Sequence, residues 1–186
     1  MTTMNGIDVN VLGQLIETVK KQPEVARAQF RTTTRVSEAF SSKSEVQRPS
    51  LGGQPVKGRE HTFRLEGDHP PELLGKDAGP AGVETLLAAL GACIGSGYTT
   101  FGAALGIKVE EVRVELTGDL DLQGFMGLPS PGAVRPGFQR IHAKTYVRSK
   151  AARADLDKLK EVAENASPVR DSLRAVPFTS ELIVES

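Results

Sequence analysis

The chain has a single cysteine, Cys93. That excludes an intrachain disulfide and a Cys-rich zinc site, and a lone thiol suits a reducing compartment, so a cytoplasmic location is expected. Charge of one sign is also lacking: 23 Lys and Arg balance 23 Asp and Glu. Proteins neutralise nucleic-acid phosphates with a basic surface, so no nucleic-acid partner is expected, nor a polybasic membrane patch. His61, His69 and His142 have no metal-ligand spacing and read as surface residues, so no metal is expected. There is no Walker loop, no GxGxxG after a strand and no GxSxG elbow, so neither a nucleotide cofactor nor serine-hydrolase chemistry is expected. Met1 to Asn10 show no basic stretch followed by an apolar one, and no signal peptide is expected.

The chain has 186 residues, 39% of them hydrophobic and 25% charged. This suits one compact domain that buries roughly 70% of its unfolded surface. Its most unusual stretch is an uncharged run of 23 residues, Thr85 to Ile107. That length could cross a bilayer. Five glycines (Gly91, Gly95, Gly97, Gly102, Gly106), the interspersed Ser and Thr, and the absence of a basic flank argue instead for a buried central helix. Pro80 suits its first turn and Gly106 its end. Interior glycines cost about 1 kcal/mol each relative to alanine, so they need a reason. Around Cys93 the face formed by Leu86, Ala89, Leu90, Ser96, Gly97 and Thr100 narrows from leucines to small residues, inviting close approach of a second helix, whether from this chain or a partner subunit.

Leu12, Leu15, Ile16 and Val19 predict an amphipathic helix over Asp8 to Lys21, closed by Pro23. Alternation from Ala28 to Val36 predicts a strand, Ser41 to Ser44 a turn, and Glu45 to Arg48 a second strand. Pro49 to Gly58 and Gly67 to Gly79 are expected as loops, with a third strand between them near His61 to Leu65. Beyond the central helix, strands are predicted over Val112 to Leu116 and Ile141 to Val147, separated by a loop over Gly124 to Gly137. A helix follows from about Ala151, then a second started by Ser167 as N-cap and Pro168 at the first position. Phe178 to Val184 closes the chain as a strand. Strands grouped on either side of helices indicate an α+β fold.

Four residues are candidates for chemistry. Cys93 is either a buried structural thiol or a nucleophile. The second role needs thiolate, hence a cation or helix start supplied from elsewhere, because nothing within ten residues is basic. Glu84 is either a carboxylate favourably placed at a helix N-terminus or the partner of an arginine. At about 100° per residue, it and Cys93 lie on opposite faces of a regular helix. Arg31 and Arg35, four apart on one strand face, are either solvated or the source of that cation.

Three segments in order carry a resemblance. They are Pro71-Glu72-Leu73-Leu74-Gly75 through Gly79-Pro80 to Glu84-Thr85-Leu86-Leu87-Ala88-Ala89-Leu90-Gly91-Ala92-Cys93; Gly106-Ile107 through Val112-Arg113-Val114-Glu115 to Gly118-Asp119-Leu120-Asp121; and Ala163-Glu164-Asn165-Ala166-Ser167-Pro168-Val169. Together they resemble the OsmC/Ohr family over about residues 28–185. The resemblance implies antiparallel sheets wrapped around a long central helix in an intertwined homodimer. It leaves residues 1–24 as a helical extension and 25–186 as one domain. It further implies a thiol-dependent reductase of organic hydroperoxides, with Cys93 as peroxidatic cysteine, Glu84 as the carboxylate before the helix, and Arg35 (or Arg31) as the arginine.

One departure is explicit. The family's resolving cysteine, in a Cys-Pro context at the start of the later helix, is here Ser167, and serine forms no disulfide. The implied outcomes are a one-cysteine peroxidase regenerated by an external thiol, a sensor of oxidants, or a non-catalytic dimer that binds a small apolar ligand.

Overall fold

The structure is a computed structural model that describes residues 3–128, 130 and 132–185. Two compact units emerge: one holds the described residues of Met1–Asn10 and Leu86–Ser186, the other Val11–Thr85. The chain opens with a hairpin, β1 (Thr3–Met4) and β2 (Ile7–Asp8). Its turn is Asn5-Gly6, both with positive φ, the conformation tight two-residue hairpins need. The amphipathic helix α1 follows over Val9–Lys21, close to expectation, with no side chain buried.

In the unit Val11–Thr85, β3 (Ala28–Gln29) pairs with β6 (Ser50–Leu51), and β4 (Thr32–Glu38) with β5 (Ser41–Val46). The strand predicted from Ala28 is therefore broken in two. The turn predicted over Ser41 to Ser44 sits earlier, at Ala39-Phe40, where Ala39 has φ +44°. The serines are strand residues because their hydroxyls find partners across the sheet: Ser44 Oγ lies 2.8 Å from Thr34 Oγ1, and Ser42 Oγ donates to the Gly67 carbonyl. The loop predicted over Pro49 to Gly58 contains a second small hairpin, β6 with β7 (Gln54–Pro55), turned by Gly52-Gly53 with positive φ at both. The third strand, β8 (Phe63–Gly67), pairs with β5. Asp68 is buried at the root of the following loop. Its carboxylate accepts from the amides of His69 (2.8 Å), Lys76 (3.0 Å) and Ala78 (3.3 Å).

The central helix, α2 (Gly82–Leu105), begins later than predicted. Pro80 precedes its first turn, and Ala81 caps it, its carbonyl accepting from Thr85 N. At the other end Gly106 has φ +73°, with Ile107 N donating to the Gly102 carbonyl, a left-handed cap as expected. Leu90, Ile94 and Tyr98 form a fully buried stripe at four-residue spacing. Although α2 is long and apolar enough to cross a membrane, that stripe packs into a core shared with Ile141, Val147, Leu156, Leu159, Ala163 and Leu182.

The sheet under that core has the order β11-β10-β9, with β9 Glu111–Asp119, β10 Arg140–Arg148 and β11 Phe178–Glu185. β9 and β10 are antiparallel, whereas β10 and β11 are parallel. The parallel pair arises because α4 (Arg153–Asn165) and α5 (Pro168–Ser172) carry the chain back to the start of the sheet. The loop expected after β9 opens with one short helix, α3 (Leu122–Met126), N-capped by Asp121; Pro129 and Pro131 in that stretch lie outside the described residues. Mixed α and β structure, mostly antiparallel sheets and one long helix agree with the α+β expectation.

Candidate functional site

Cys93 is half-buried on α2. It lines a cleft of about 160 Å³ whose other walls include Gly97, Phe101, Ala163, Ser167 and Pro168. The close helix anticipated from the small-residue face is α4 of the same chain. A Cβ on Gly97 would meet the Ala163 backbone and Cβ at 3.1 Å. A Cβ on Gly91 would meet the Leu116 side chain at 3.3 Å, still a tight contact, and one on Gly95 would meet Val114 at 3.8 Å, an ordinary one.

Ser167 is where the sequence led one to look. Its side chain accepts from Arg170 N at 3.2 Å, Pro168 takes the first helical position, and the residue is buried. The structure thus brings Cys93 and Ser167 to one cleft. None of the described residues lining it carries a charge. Arg170, close in sequence, stacks its guanidinium 4.3 Å from the Phe178 ring centroid.

Glu84, Arg35 and Arg31 belong to the unit Val11–Thr85. Glu84 Oε2 accepts from Ala81 N at 2.8 Å, so the carboxylate closes one half of a capping box. That is its helix-terminus role. Arg35 sits on β4 opposite Lys43, exposed. Arg31 lies outside β4, exposed, and donates to Gln29 Oε1 at 2.6 Å; the two arginines do not share a regular strand. His69 stacks on Phe40 with ring centroids 4.3 Å apart, and His142 Nδ1 lies 2.7 Å from Thr179 Oγ1. Among the described residues no group of three or more metal-ligating side chains occurs.

Sequence reasoning missed Asn5. Its Nδ2 donates to the carbonyls of Ile107 (2.9 Å) and Thr99 (3.3 Å), and its Oδ1 accepts from Val109 N at 2.8 Å. It therefore clamps the carboxyl end of the helix that carries Cys93. The signal was present: Asn-Gly is a strong short-range hairpin signature.

The family model described as OsmC-like protein matches residues 75–181, more than half of the chain. No curated protein matches the sequence. Among solved structures, an OsmC-like protein from Mycoplasma pneumoniae superposes with a TM-score of 0.64 at 14% identity, covering 85% of this chain and 98% of that one. An organic hydroperoxide resistance protein of Bacillus subtilis gives 0.51 at 16% identity, covering 84% and 98%. Another, from Legionella pneumophila, gives 0.56 at 14% identity, covering 85% and 97%. These identities speak to the fold alone. With the ordered elements around α2 and the family match that spans them, the chain belongs to the OsmC-like protein family.

Proposed function

We propose that the protein is a cysteine-based reductase of organic hydroperoxides, acting as a cytoplasmic homodimer. The observation that carries this reading is the half-buried Cys93 thiol opening on a small cleft bounded by Ser167. In the reaction, Cys93 thiolate attacks the distal peroxide oxygen. The O–O bond breaks, the alkoxide takes a proton and leaves as alcohol, and Cys93 becomes sulfenic acid. With Ser167 in place of a resolving cysteine, two equivalents of an external thiol return it to thiol, giving a disulfide and water. Phe101 and the apolar walls favour an organic over a fully polar peroxide. The thiolate needs a cation from outside this cleft, and the family resemblance offers Arg35, or Arg31, for that role with Glu84 as the arginine's partner. Residues 1–24 extend a single OsmC-like domain at 25–186.

Support for the dimer comes from the unit Val11–Thr85, whose residues are all described. It buries no large apolar side chain in the single chain. Phe30, Val36, Leu51, Phe63 and Leu65 stay exposed, Phe30 at 74%. A unit of this size gains little from the hydrophobic effect unless another surface covers it.

One observation favours a second reading, a non-catalytic dimer that binds a small apolar ligand: among the described residues the cleft at Cys93 has no charged lining residue. Cumene hydroperoxide followed by dimedone separates the two. A reductase gives dimedone-labelled Cys93, located by peptide mass spectrometry. An unlabelled thiol in folded protein leaves the binding reading.

A further inference from the structure

Asn5 is followed by glycine, whereas the other asparagines of the chain, Asn10 and Asn165, precede valine and alanine. An asparagine before glycine is chemically unstable in a mobile chain. Glycine has no side chain to shield its backbone nitrogen, which can then reach the asparagine side-chain carbonyl carbon. The sequence thus carries a reactive pair, and the structure shows what restrains it. Asn5 and Gly6 make the tight turn between β1 and β2, with φ +52° and +79°. Asn5 Nδ2 spends both of its protons, on the Thr99 carbonyl at 3.3 Å and the Ile107 carbonyl at 2.9 Å, while Oδ1 accepts from Val109 N at 2.8 Å. A notch in α2 makes room for this amide: a Cβ on the buried Gly102 would lie 2.7 Å from Asn5 Nδ2 and 3.0 Å from the Ile107 carbonyl oxygen.

We propose that Asn5 is a deamidation site held in check by its seat at Gly102, and that its conversion unclamps the carboxyl end of α2. The Gly6 nitrogen attacks Asn5 Cγ and gives up its proton to base. The N–Cγ bond forms, the Cγ–Nδ2 bond breaks, and Nδ2 takes up a proton and leaves as ammonia. Water then opens the cyclic imide at one carbonyl or the other, giving aspartate or isoaspartate with no change of oxidation state. Ring closure demands that the side chain turn towards Gly6 N, and three hydrogen bonds oppose that turn. The clamped pair is preserved, and local opening of the hairpin exposes it. Neither product fits the seat. Aspartate has no N–H for the Thr99 and Ile107 carbonyls and sets a negative charge against them. Isoaspartate lengthens the backbone inside a two-residue turn. None of this depends on chemistry at Cys93.

The full chain and its Gly102→Ala variant, aged in mildly alkaline buffer with and without guanidinium chloride, test this by peptide mapping for aspartate and isoaspartate at position 5. Hydrogen exchange of the Val109 amide is read on the parent alongside. In denaturant Asn5 should convert well ahead of Asn10 and Asn165. In the folded parent its conversion should be at least about tenfold slower, because three hydrogen bonds must open first. It should be slowed at least as much as exchange of the Val109 amide. Folded Gly102→Ala should lose most of that protection; the parent's own comparison decides the matter where that variant does not fold. Conversion as fast in the folded parent as in denaturant would overturn the proposal. So would an Asn5 that stays intact in the unfolded chain, or a folded Gly102→Ala that protects it as fully as the parent does.

Discussion

Gly97 and Ala163 meet where α2 crosses α4: a Cβ on Gly97 would lie 3.1 Å from the Ala163 Cα, Cβ and carbonyl oxygen. The obstacle is mostly backbone, which cannot rotate away. Gly97→Ala gains about 1 kcal/mol in helix propensity, but it must push α4 aside, an overpacking cost of typically 1–3 kcal/mol. The expected net effect is destabilisation by about 1 kcal/mol in urea unfolding. Gly95→Ala, with 3.8 Å to its nearest neighbour, is expected to be neutral or stabilising. Equal effects at the two positions would contradict the close crossing.

Asn5→Ala removes both donors to the Thr99 and Ile107 carbonyls and orphans the buried Val109 amide. The cost is expected to be about 1–3 kcal/mol. Asn5→Asp keeps the acceptor for Val109 N and loses the donors, so it should fall between. Thermal unfolding of the three proteins orders them; an Asn5→Ala variant as stable as the parent would remove the clamp from the account.

The amide of His69 above all, with those of Ala78 and Lys76, holds the Asp68 carboxyl below its ordinary pKa against the opposing effect of burial. A pKa depressed in the folded state contributes stability in full above the unfolded value, about 3.9. The contribution disappears as pH falls through the lower folded value. The parent should therefore lose stability faster than Asp68→Asn as pH drops from about 5 to 2. Urea midpoints across that range check it, and parallel curves would contradict it.

Ser167→Cys places a second cysteine where the family resemblance implies a resolving one. Since both positions line one cleft, mild oxidation should form an intrachain disulfide with Cys93, provided the Cα atoms approach within about 7 Å. Intact mass spectrometry reads it as the loss of two hydrogens in a monomeric species. Only intermolecular cross-links, or none, would mean the two side chains do not face each other.

Periodic elements were legible in the sequence. The long helix α2, the alternation of β10, and Ser167-Pro168 as a helix start each carry a local pattern that the tertiary structure obeys, although the buried stripe of α2 is Leu90, Ile94 and Tyr98 and not the face around Cys93, where Leu86, Ala89 and Ser96 are exposed. β5 was legible only at its end, where the strand predicted from Glu45 overlaps it at Glu45 and Val46; Ser41 to Ser44 are polar on both faces, so no alternation marks that half and only cross-strand hydroxyl pairing reveals it. The Gly52-Gly53 hairpin was hidden by a Gly/Pro-rich composition that reads as loop. Cys93 and Ser167 were linked in the sequence only by the family resemblance, and the structure places both on one cleft. The identity of the close helix was not, because α4 reaches Gly97 only through long-range packing. Glu84 illustrates two roles for one position: its capping bond is local and readable, while its proposed partnership with arginine rests on the family pattern.

The most direct test of the central claim is a single-turnover measurement of cumene hydroperoxide consumption without added thiol. One equivalent of peroxide is expected to be reduced to alcohol per chain, abolished in Cys93→Ser, with further turnover only when an external thiol is supplied. Consumption equal in parent and Cys93→Ser proteins, or none in either while both remain folded, would contradict it.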